Sequence, residues 1–208
     1  MSIIHTVLLM NLNNICNMLI KAIITDFDGT LVDTYLANMC AYKAAFYVCG
    51  FELSDETYKA CFGLRFNDFM NKVGIVDIDT QNKIKELKAE LYPEFFHLLI
   101  PNTALIDSLT AMKKSGIKIA IASTARRENL LNVLQHFELT DMFDTILTGE
   151  SVKCGKPDPE IYILTMEQLG VQPNEVLIYE DSDVGLQAAQ DSGANYIKVT
   201  KNWFSHEN

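Results

Sequence analysis

Short apolar runs rich in β-branched residues recur along this chain, and polar residues follow each run. Continuous runs of this kind are typical of parallel strands that are buried on both faces. Between the later runs, apolar residues return every three or four positions, as at Leu130, Val133 and Leu134. That spacing predicts helices with one buried face. The predicted strands span residues 19–25, 117–122, 145–147, 176–179 and 196–199.

The alternation of strands and helices predicts an α/β fold with a doubly wound, Rossmann-like parallel sheet, because parallel strands need crossover connections. One connection is longer than a crossover requires, since about ninety residues separate the first two strands. We predict that this insertion forms a small α-helical cap domain at residues 36–100. The core domain then comprises residues 18–35 and 101–208, and residues 1–17 form an N-terminal extension.

The first helix of the cap is predicted from mostly apolar or long side chains at helical spacing. Gly50 and Gly63 predict breaks after it, and residues 80–99 predict another long helical stretch. Pro101 and Asn102 mark the return to the core. The residues expected to share one face of the first cap helix are Leu36, Met39, Cys40, Lys43, Phe46 and Tyr47.

Composition and charge narrow the classes of function. Hydrophobic residues make up 49% of the 208 positions, which is enough for a substantial core. The formal net charge of -10 disfavours binding to nucleic acid or to an anionic membrane. The five cysteines show no CxxC spacing, which fits a reducing compartment. We therefore expect a cytoplasmic protein without nucleic-acid or membrane partners, present as a monomer or a weak dimer.

The segment Asp26-Phe27-Asp28-Gly29-Thr30 stands directly after the first predicted strand. Open α/β sheets bind ligands at the carboxyl ends of their strands, so both carboxylates are expected beside that crevice. One of these carboxylates can attack phosphorus, while the other protonates the leaving oxygen and afterwards activates water. Gly29 permits a sharp turn that leaves backbone amides free for phosphate oxygens. An ordinary strand-to-turn sequence is the competing interpretation of this pentapeptide.

Two further segments carry residues suited to phosphate binding. Ser123 and Thr124 follow the second predicted strand, and Arg126 comes shortly after them. Hydroxyls and amides at such a point suit a phosphoryl oxygen, although the same residue types commonly cap helices. Lys156 lies in a proline-bounded loop, where its ammonium can offset the charges of a nucleophile and a phosphate. The competing interpretation is an ordinary surface lysine.

Glu180 and Asp181 stand at the end of the fourth predicted strand. Adjacent carboxylates at a buried strand end repel each other unless a cation lies between them. Together with Asp26 they offer oxygen ligands of the kind that Mg²⁺ takes. Capping of the next helix is the alternative role for this acidic segment, and Asp183 is the residue that suits it.

Taken in order, these four segments resemble the haloacid dehalogenase superfamily, in its phosphatase and phosphomutase branch with a helical cap. The resemblance runs from about Leu19 to Lys198. It implies that Asp26 is the nucleophile and a magnesium ligand. It also implies that Asp28 is the general acid/base and gives its backbone carbonyl to the metal. The dehalogenases that name the superfamily lack an acid at the position of Asp28, so phosphorus chemistry is expected here.

The resemblance also implies roles for the other segments. Ser123 and Lys156 contact the phosphoryl group, and Thr30 supports the loop of the first motif. Glu180 and Asp181 complete the acidic metal site, with Asp181 the expected direct ligand. The predicted substrate-binding residues are Thr30, Arg65, Thr124 and Arg126.

Two positions in the cap bear on the substrate. Phe62-Gly63-Leu64-Arg65 resembles the specificity segment of the cap in this branch, and Arg65 either holds an anionic tail or is a solvated surface residue. Relatives that are β-phosphoglucomutases carry a histidine in the first cap helix, at the position of Asn38. We predict a magnesium-dependent phosphatase that hydrolyses a small phosphorylated metabolite through an aspartyl-phosphate. A sugar phosphomutase and a catalytically idle binding protein are the alternatives.

Overall fold

A parallel sheet of five strands forms the centre of the computed structural model, which describes residues 20–204. Across the sheet, the strands begin in turn at Thr145, Lys118, Ala22, Val176 and Asn195. The chain builds outward from the central strand in one direction, then returns to build in the other, which confirms the predicted doubly wound α/β fold. In chain order the elements are β1 (Ala22–Thr25), β2 (Val32–Asp33), α1 (Tyr35–Val48), α2 (Asp55–Cys61), α3 (Phe66–Lys72), α4 (Ile78–Leu91), β3 (Ile100–Pro101), α5 (Thr103–Lys114), β4 (Lys118–Ala122), α6 (Arg127–His136), β5 (Thr145–Leu147), α7 (Glu160–Leu169), β6 (Val176–Glu180), α8 (Asp183–Asp191) and β7 (Asn195–Lys198).

The central strands bury side chains on both faces of the sheet. Ile23 of β1 packs in a hydrophobic cluster with residues of α5 and α6, whereas Ile24 packs in a second cluster with residues of α7 and α8. This period of two is what a strand covered on both faces imposes. The helical stripe predicted at Leu130, Val133 and Leu134 is buried in the first cluster, as expected.

Two short paired segments connect the helical cap to the core. β2 and β3 run antiparallel, with Val32 opposite Pro101, so the chain leaves and re-enters the core side by side. Asn102 secures the return, because its Nδ2 donates to the Thr30 carbonyl oxygen at 3.0 Å and its Oδ1 accepts from Leu105 N at 3.2 Å. The inserted helices α1 to α4 are the predicted cap, and the boundaries at residues 36 and 100 stay a prediction.

The predicted face of α1 is wrong. Leu36 is 46% exposed and Tyr47 is 82% exposed, although both were expected on the common face. The helix packs instead against α4 and the 3-10 turn Tyr92–Leu98, through small side chains that allow the backbones to approach closely. Of the six residues predicted on that face, Phe46 alone is buried, so the pattern of large residues did not identify the contact. The residues that α1 buries are Ala37, Ala41, Ala45 and Phe46.

Other expectations meet the structure with mixed results. The strands lie where they were predicted, with shifts at their ends, but burial is wrong for β7, whose four residues are all exposed. β7 is an edge strand with a neighbour on one side only. The predicted extension at residues 1–17 lies outside the described residues. None of the helices within residues 20–204 combines the length and the apolar character needed to cross a membrane.

Candidate active site

The carboxyl ends of three neighbouring strands meet in the middle of the sheet. Asp26 directly follows β1, Ser123 directly follows β4, and Glu180 ends β6. The backbone N–H of Asp26 donates to the Tyr179 carbonyl oxygen at 2.9 Å, which continues the pairing of β1 with β6 by one residue. Parallel register thus brings together segments that are far apart in the sequence.

Lys156 lies between two of the acidic side chains. Its Nζ donates to Asp26 Oδ1 at 2.6 Å and to Glu180 Oε2 at 2.7 Å. Its side chain is only 4% exposed, so these ion pairs are shielded from water. Burial by itself lowers the pKa of Lys156, but the charges of Asp26 and Glu180 raise that pKa well above its usual value. Lys156 is therefore a fixed cation at the end of the sheet.

Asp26, Glu180 and Asp181 form an acidic cluster in which one oxygen of each lies within 4.8 Å of the others. Burial, followed by the charge of Glu180, raises the pKa of Asp26 well above its usual value. The same two causes raise the pKa of Asp181 to about 6. Burial opposes the ionisation of Glu180, but the charge and hydrogen bond of Lys156 outweigh it and hold the pKa of Glu180 below its usual value. A further cation would offset the negative charge that remains.

The oxygen atoms of this cluster suit magnesium. Mg²⁺ binds through one or two carboxylates and keeps several waters. Oδ1 of Asp26 accepts a hydrogen bond from Lys156. Oδ1 of Asp181 accepts one from Thr30 Oγ1 at 3.0 Å. Oδ2 of each aspartate accepts no hydrogen bond from another residue within 20–204. Both oxygens of Glu180 already accept hydrogen bonds. Asp26 and Asp181 are therefore the side chains best placed to hold the ion.

Asp28 lies at the point where the chain turns toward the cap. Thr34 Oγ1 donates to Asp28 Oδ1, and Thr34 stands just before α1. Burial raises the pKa of Asp28, although the hydrogen bond from Thr34 opposes that rise. A raised pKa favours the protonated carboxyl group, which is the form a general acid needs. Sequence reasoning missed Thr34, because its contact with Asp28 depends on the path of the connecting loop.

Two glycines leave room for the acidic side chains. A Cβ on Gly29, which has φ of +84°, would lie 2.4 Å from Asp181 Oδ2. A Cβ on Gly185 would lie 2.0 Å from the carboxyl carbon of Glu180. Gly185 is inside α8, where glycine costs about 1 kcal/mol relative to alanine, so the close carboxylate explains its presence. Sequence reasoning missed Gly185, and a glycine within a predicted helix was the available signal.

The predicted hydroxyl residues are placed differently from one another. Ser123 is 1% exposed, and its Oγ accepts from Ala125 N at 3.1 Å. Thr30 is buried and uses its hydroxyl hydrogen on Asp181. Thr124 is exposed. Thr30 thus supports an acidic residue of the site in this structure, and the predicted substrate contacts of all three residues stay predictions.

Both predicted arginines have protein partners. Arg126 forms an ion pair with Glu128 at 3.0 Å. Arg65, on the cap, covers Gly155 so closely that a Cβ on that glycine would lie 2.1 Å from a guanidinium nitrogen. Gly155 directly precedes Lys156, so Arg65 brings the cap into contact with the loop that carries Lys156. The predicted contacts of Arg65 and Arg126 with a substrate remain untested.

A buried lysine of the cap also faces this region, and sequence reasoning missed it. Lys88 of α4 is 4% exposed, and its Nζ lies 3.8 Å from the centre of the Tyr92 ring and 5.3 Å from that of Tyr42. Burial lowers the pKa of Lys88 to about 7, while the charge of Asp28 opposes that shift. Within residues 20–204 it forms no ion pair, which is unusual for a buried lysine. Its position in the helix was the signal, since it falls on the same face as Ile84.

Comparison with known proteins agrees with this geometry. The family model described as haloacid dehalogenase-like hydrolase matches residues 23–199, which is most of the chain. The chain belongs to this family of hydrolases. A phosphorylated carbohydrates phosphatase of Thermotoga maritima is 30% identical over 181 residues, covering 85% of this chain and 83% of that protein. The predicted superfamily is thereby confirmed.

Solved structures of family members share the fold. CbbY from Rhodobacter sphaeroides in complex with phosphate superposes with a TM-score of 0.78 at 26% identity, covering 91% of this chain and 90% of that chain. A β-phosphoglucomutase from Clostridium difficile superposes with a TM-score of 0.73 at 26% identity, covering 88% of this chain and 86% of that chain. Both similarities extend over the core and the cap, as predicted from the sequence.

Proposed function

We propose that this hydrolase is a magnesium-dependent phosphatase that cleaves a small phosphorylated metabolite through an aspartyl-phosphate on Asp26. The observation that carries the proposal is the contact of Lys156 Nζ with Asp26 Oδ1 at 2.6 Å, inside an acidic cluster that offers magnesium its oxygen ligands. An oriented carboxylate beside a fixed cation is what nucleophilic attack on a phosphate dianion requires, since the charges of the two anions otherwise repel. The name of the Thermotoga maritima relative supports a phosphatase.

The first step transfers the phosphoryl group to the enzyme. A carboxylate oxygen of Asp26 forms a bond to phosphorus, and the bond from phosphorus to the ester oxygen breaks. Asp28 gives its proton to that leaving oxygen, so the product is an alcohol and Asp28 becomes a carboxylate. Bound magnesium supplies positive charge that stabilises the phosphoryl oxygens in the transition state.

The second step frees the enzyme. The Asp28 carboxylate takes a proton from a water molecule whose oxygen attacks phosphorus, and the bond between Asp26 and phosphorus breaks. Inorganic phosphate leaves, Asp26 is again a carboxylate, and Asp28 is again protonated. Lys156 remains charged throughout, because its raised pKa keeps the ammonium protonated at neutral pH.

Release of inorganic phosphate tests the proposal against its alternatives. The protein is incubated with β-glucose 1-phosphate, a trace of glucose 1,6-bisphosphate and magnesium, and phosphate and glucose 6-phosphate are measured separately. We expect phosphate as the main product, because Asn38 does not titrate and no histidine at that position can gate water. Excess chelator should abolish turnover.

The outcomes of this experiment separate the three candidates. Accumulation of glucose 6-phosphate with little phosphate would make the protein a phosphomutase. Absence of magnesium-dependent turnover with both this ester and a generic aryl phosphate would support a catalytically idle protein. Full activity in chelator would remove the metal from the proposal.

Lys88 supports a substrate with a second anionic group. Its ammonium lies in the cap near Asp28 and forms no ion pair with a carboxylate of residues 20–204, and Arg126 adds positive charge nearby. A bound anion would compensate a buried cation that the described residues leave unpaired. The aromatic rings of Tyr42 and Tyr92 lie beside this ammonium and stabilise its positive charge without neutralising it.

We expect Lys88→Met to reduce kcat/KM for phosphoglycolate by about 10-fold to 100-fold, the effect of removing a partner from a buried charge, and to leave ethyl phosphate nearly unaffected. Because burial lowers the pKa of Lys88 to about 7, its charged form is lost as pH rises through 7. The preference for phosphoglycolate over ethyl phosphate should therefore fall above that pH in the wild type. Lys85→Met, on an exposed face of the same helix, is the control. Equal losses on both esters would exclude a tail-binding role.

The sequence also led us to expect a cytoplasmic location, a monomer or weak dimer, and no nucleic-acid or membrane partner. These stay predictions, and size-exclusion chromatography with light scattering tests the oligomeric state.

A further inference from the structure

Tyr162 packs against the ion pair formed by Lys156 and Glu180. It is the third residue of α7, and its side chain is fully buried. Its hydroxyl donates to Glu180 Oε2 at 2.7 Å, and its ring lies 4.8 Å from Lys156 Nζ. A single side chain therefore contacts both partners of the ion pair.

The hydroxyl completes the hydrogen bonding of Glu180. Oε1 accepts from the backbone N–H groups of Asp181 and Ser182, both at 3.1 Å, and from Ser182 Oγ at 2.9 Å. Oε2 accepts from Lys156 and from Tyr162. These five hydrogen bonds, with Gly185 packed against the carboxyl carbon, hold the carboxylate in one orientation.

The position of Glu180 sets the position of the ammonium. Lys156 Nζ is shared between Glu180 Oε2 and Asp26 Oδ1, at 2.7 and 2.6 Å. If Oε2 had Lys156 as its sole donor, the stronger pairing would draw the ammonium toward Glu180 and away from the nucleophile. Donation from the Tyr162 hydroxyl weakens that pull, so the ammonium stays on Asp26.

We propose that Tyr162 is a positioning residue for the reaction, which acts through Glu180 to hold the Lys156 ammonium against Asp26. The inference rests on the proposed function. A phenylalanine would meet the packing needs of this buried site equally well, so the role belongs to the hydroxyl group.

Tyr162→Phe tests the inference. We expect kcat to fall about tenfold, the effect of one hydrogen bond to a charged group, with KM for the phosphate ester and the melting temperature nearly unchanged. In a protein that already carries Glu180→Gln, Tyr162→Phe should have little further effect on kcat. Tyr162 acts through Glu180, so the two substitutions should not have additive effects. Tyr179→Phe, a buried tyrosine on β6, is the matched control and should leave kcat unchanged.

Three results would overturn the inference while leaving the proposed phosphatase intact. These are wild-type kcat in Tyr162→Phe, equal effects of Tyr162→Phe in the two backgrounds, and a loss of kcat explained entirely by a lower melting temperature. A crystal structure of Tyr162→Phe gives an answer that needs no turnover. Lys156 Nζ is expected to move out of hydrogen-bond distance of Asp26, and an unmoved ammonium would contradict the inference even if the wild type proved inactive.

Discussion

Asp26→Asn should abolish phosphate release, with a loss in kcat of at least about 10⁴-fold, as expected when a nucleophile that forms a covalent intermediate is removed. An amide is a poor nucleophile toward phosphorus, yet it is nearly isosteric with the carboxyl group. Because burial and the charge of Glu180 raise the pKa of Asp26, its ionised form lowers the stability of the metal-free protein at neutral pH. The variant should therefore melt at the same temperature as the wild type or higher, in buffer without magnesium.

Asp183→Asn is the matched control for that experiment. Asp183 carries the same substitution at a fully solvated position, where its side chain is 91% exposed and pairs with Lys198 at 2.8 Å. Water and salt screen a surface ion pair of this kind, so activity and stability should barely change. Mass spectrometry checks the intermediate directly when the folded protein is mixed with substrate and then denatured. Phosphorylation should be detected in the wild type and absent in Asp26→Asn. Wild-type turnover in Asp26→Asn would remove Asp26 from the role of nucleophile.

Lys156→Met should impair both catalysis and folding. The ammonium is the partner of Asp26 and Glu180, so its removal leaves buried carboxylates without a counter-charge. Breaking a buried ion pair in this way costs about 3 to 5 kcal/mol of unfolding free energy. The loss of a fixed charge beside the transferring phosphoryl group should lower kcat by about 10²-fold to 10³-fold.

The pH dependence of Lys156→Met follows from the same charges. Without the ammonium, the pKa of Glu180 loses the interaction that holds it below its usual value, so it rises. A carboxyl group whose pKa is raised by folding destabilises the folded protein while it is ionised, which is at pH values above that pKa. This destabilisation is lost as the pH falls and the group is protonated. The unfolding free energy of the variant, from urea denaturation without magnesium, should therefore increase from pH 7.5 to about pH 5.5.

Lys153→Met is the control for Lys156→Met, because Lys153 lies in the same loop with an exposed side chain. Its unfolding free energy should stay within about 0.5 kcal/mol of the wild type. If Lys156→Met matched Lys153→Met in both kcat and stability, the ion pairs seen in the structure would have no role in either property.

Local sequence was sufficient for the strands and for the residues at their ends. A run such as Ala22–Thr25 is buried throughout because parallel strands are covered on both faces, and Asp26 follows at the carboxyl edge of the sheet, where polar groups can face a crevice. Three of the four polar segments were predicted for this reason, and the topology placed them on adjacent strands. Lys156 was predicted instead from its proline-bounded loop. The burial of β7 was wrong, since a similar apolar pattern also fits an edge strand.

The residues that sequence reasoning missed depend on contacts between distant segments. Lys88 and Tyr162 are a lysine and a tyrosine on helices. Helical spacing places Lys88 on the buried face of α4, but no local feature identifies the partner of either residue. Their partners, Asp28 for one and Glu180 for the other, are known only when the helices are packed on the sheet. Gly185 likewise acquires its meaning from a carboxylate of the preceding strand.

By itself, the sequence determined the α/β class and the inserted helical cap, and it predicted Asp26, Asp28, Lys156 and the acidic pair as the reactive set. These depend on periodicity and on chemical type, which are properties of short stretches of chain. The tertiary structure alone decided which face of α1 is buried, because alanines allow closer helix packing than the larger residues do. It also decided that both oxygens of Glu180 accept hydrogen bonds, whereas Oδ2 of Asp26 and of Asp181 accepts none from another residue within 20–204. Hydrogen bonds form only between atoms that folding has brought within reach.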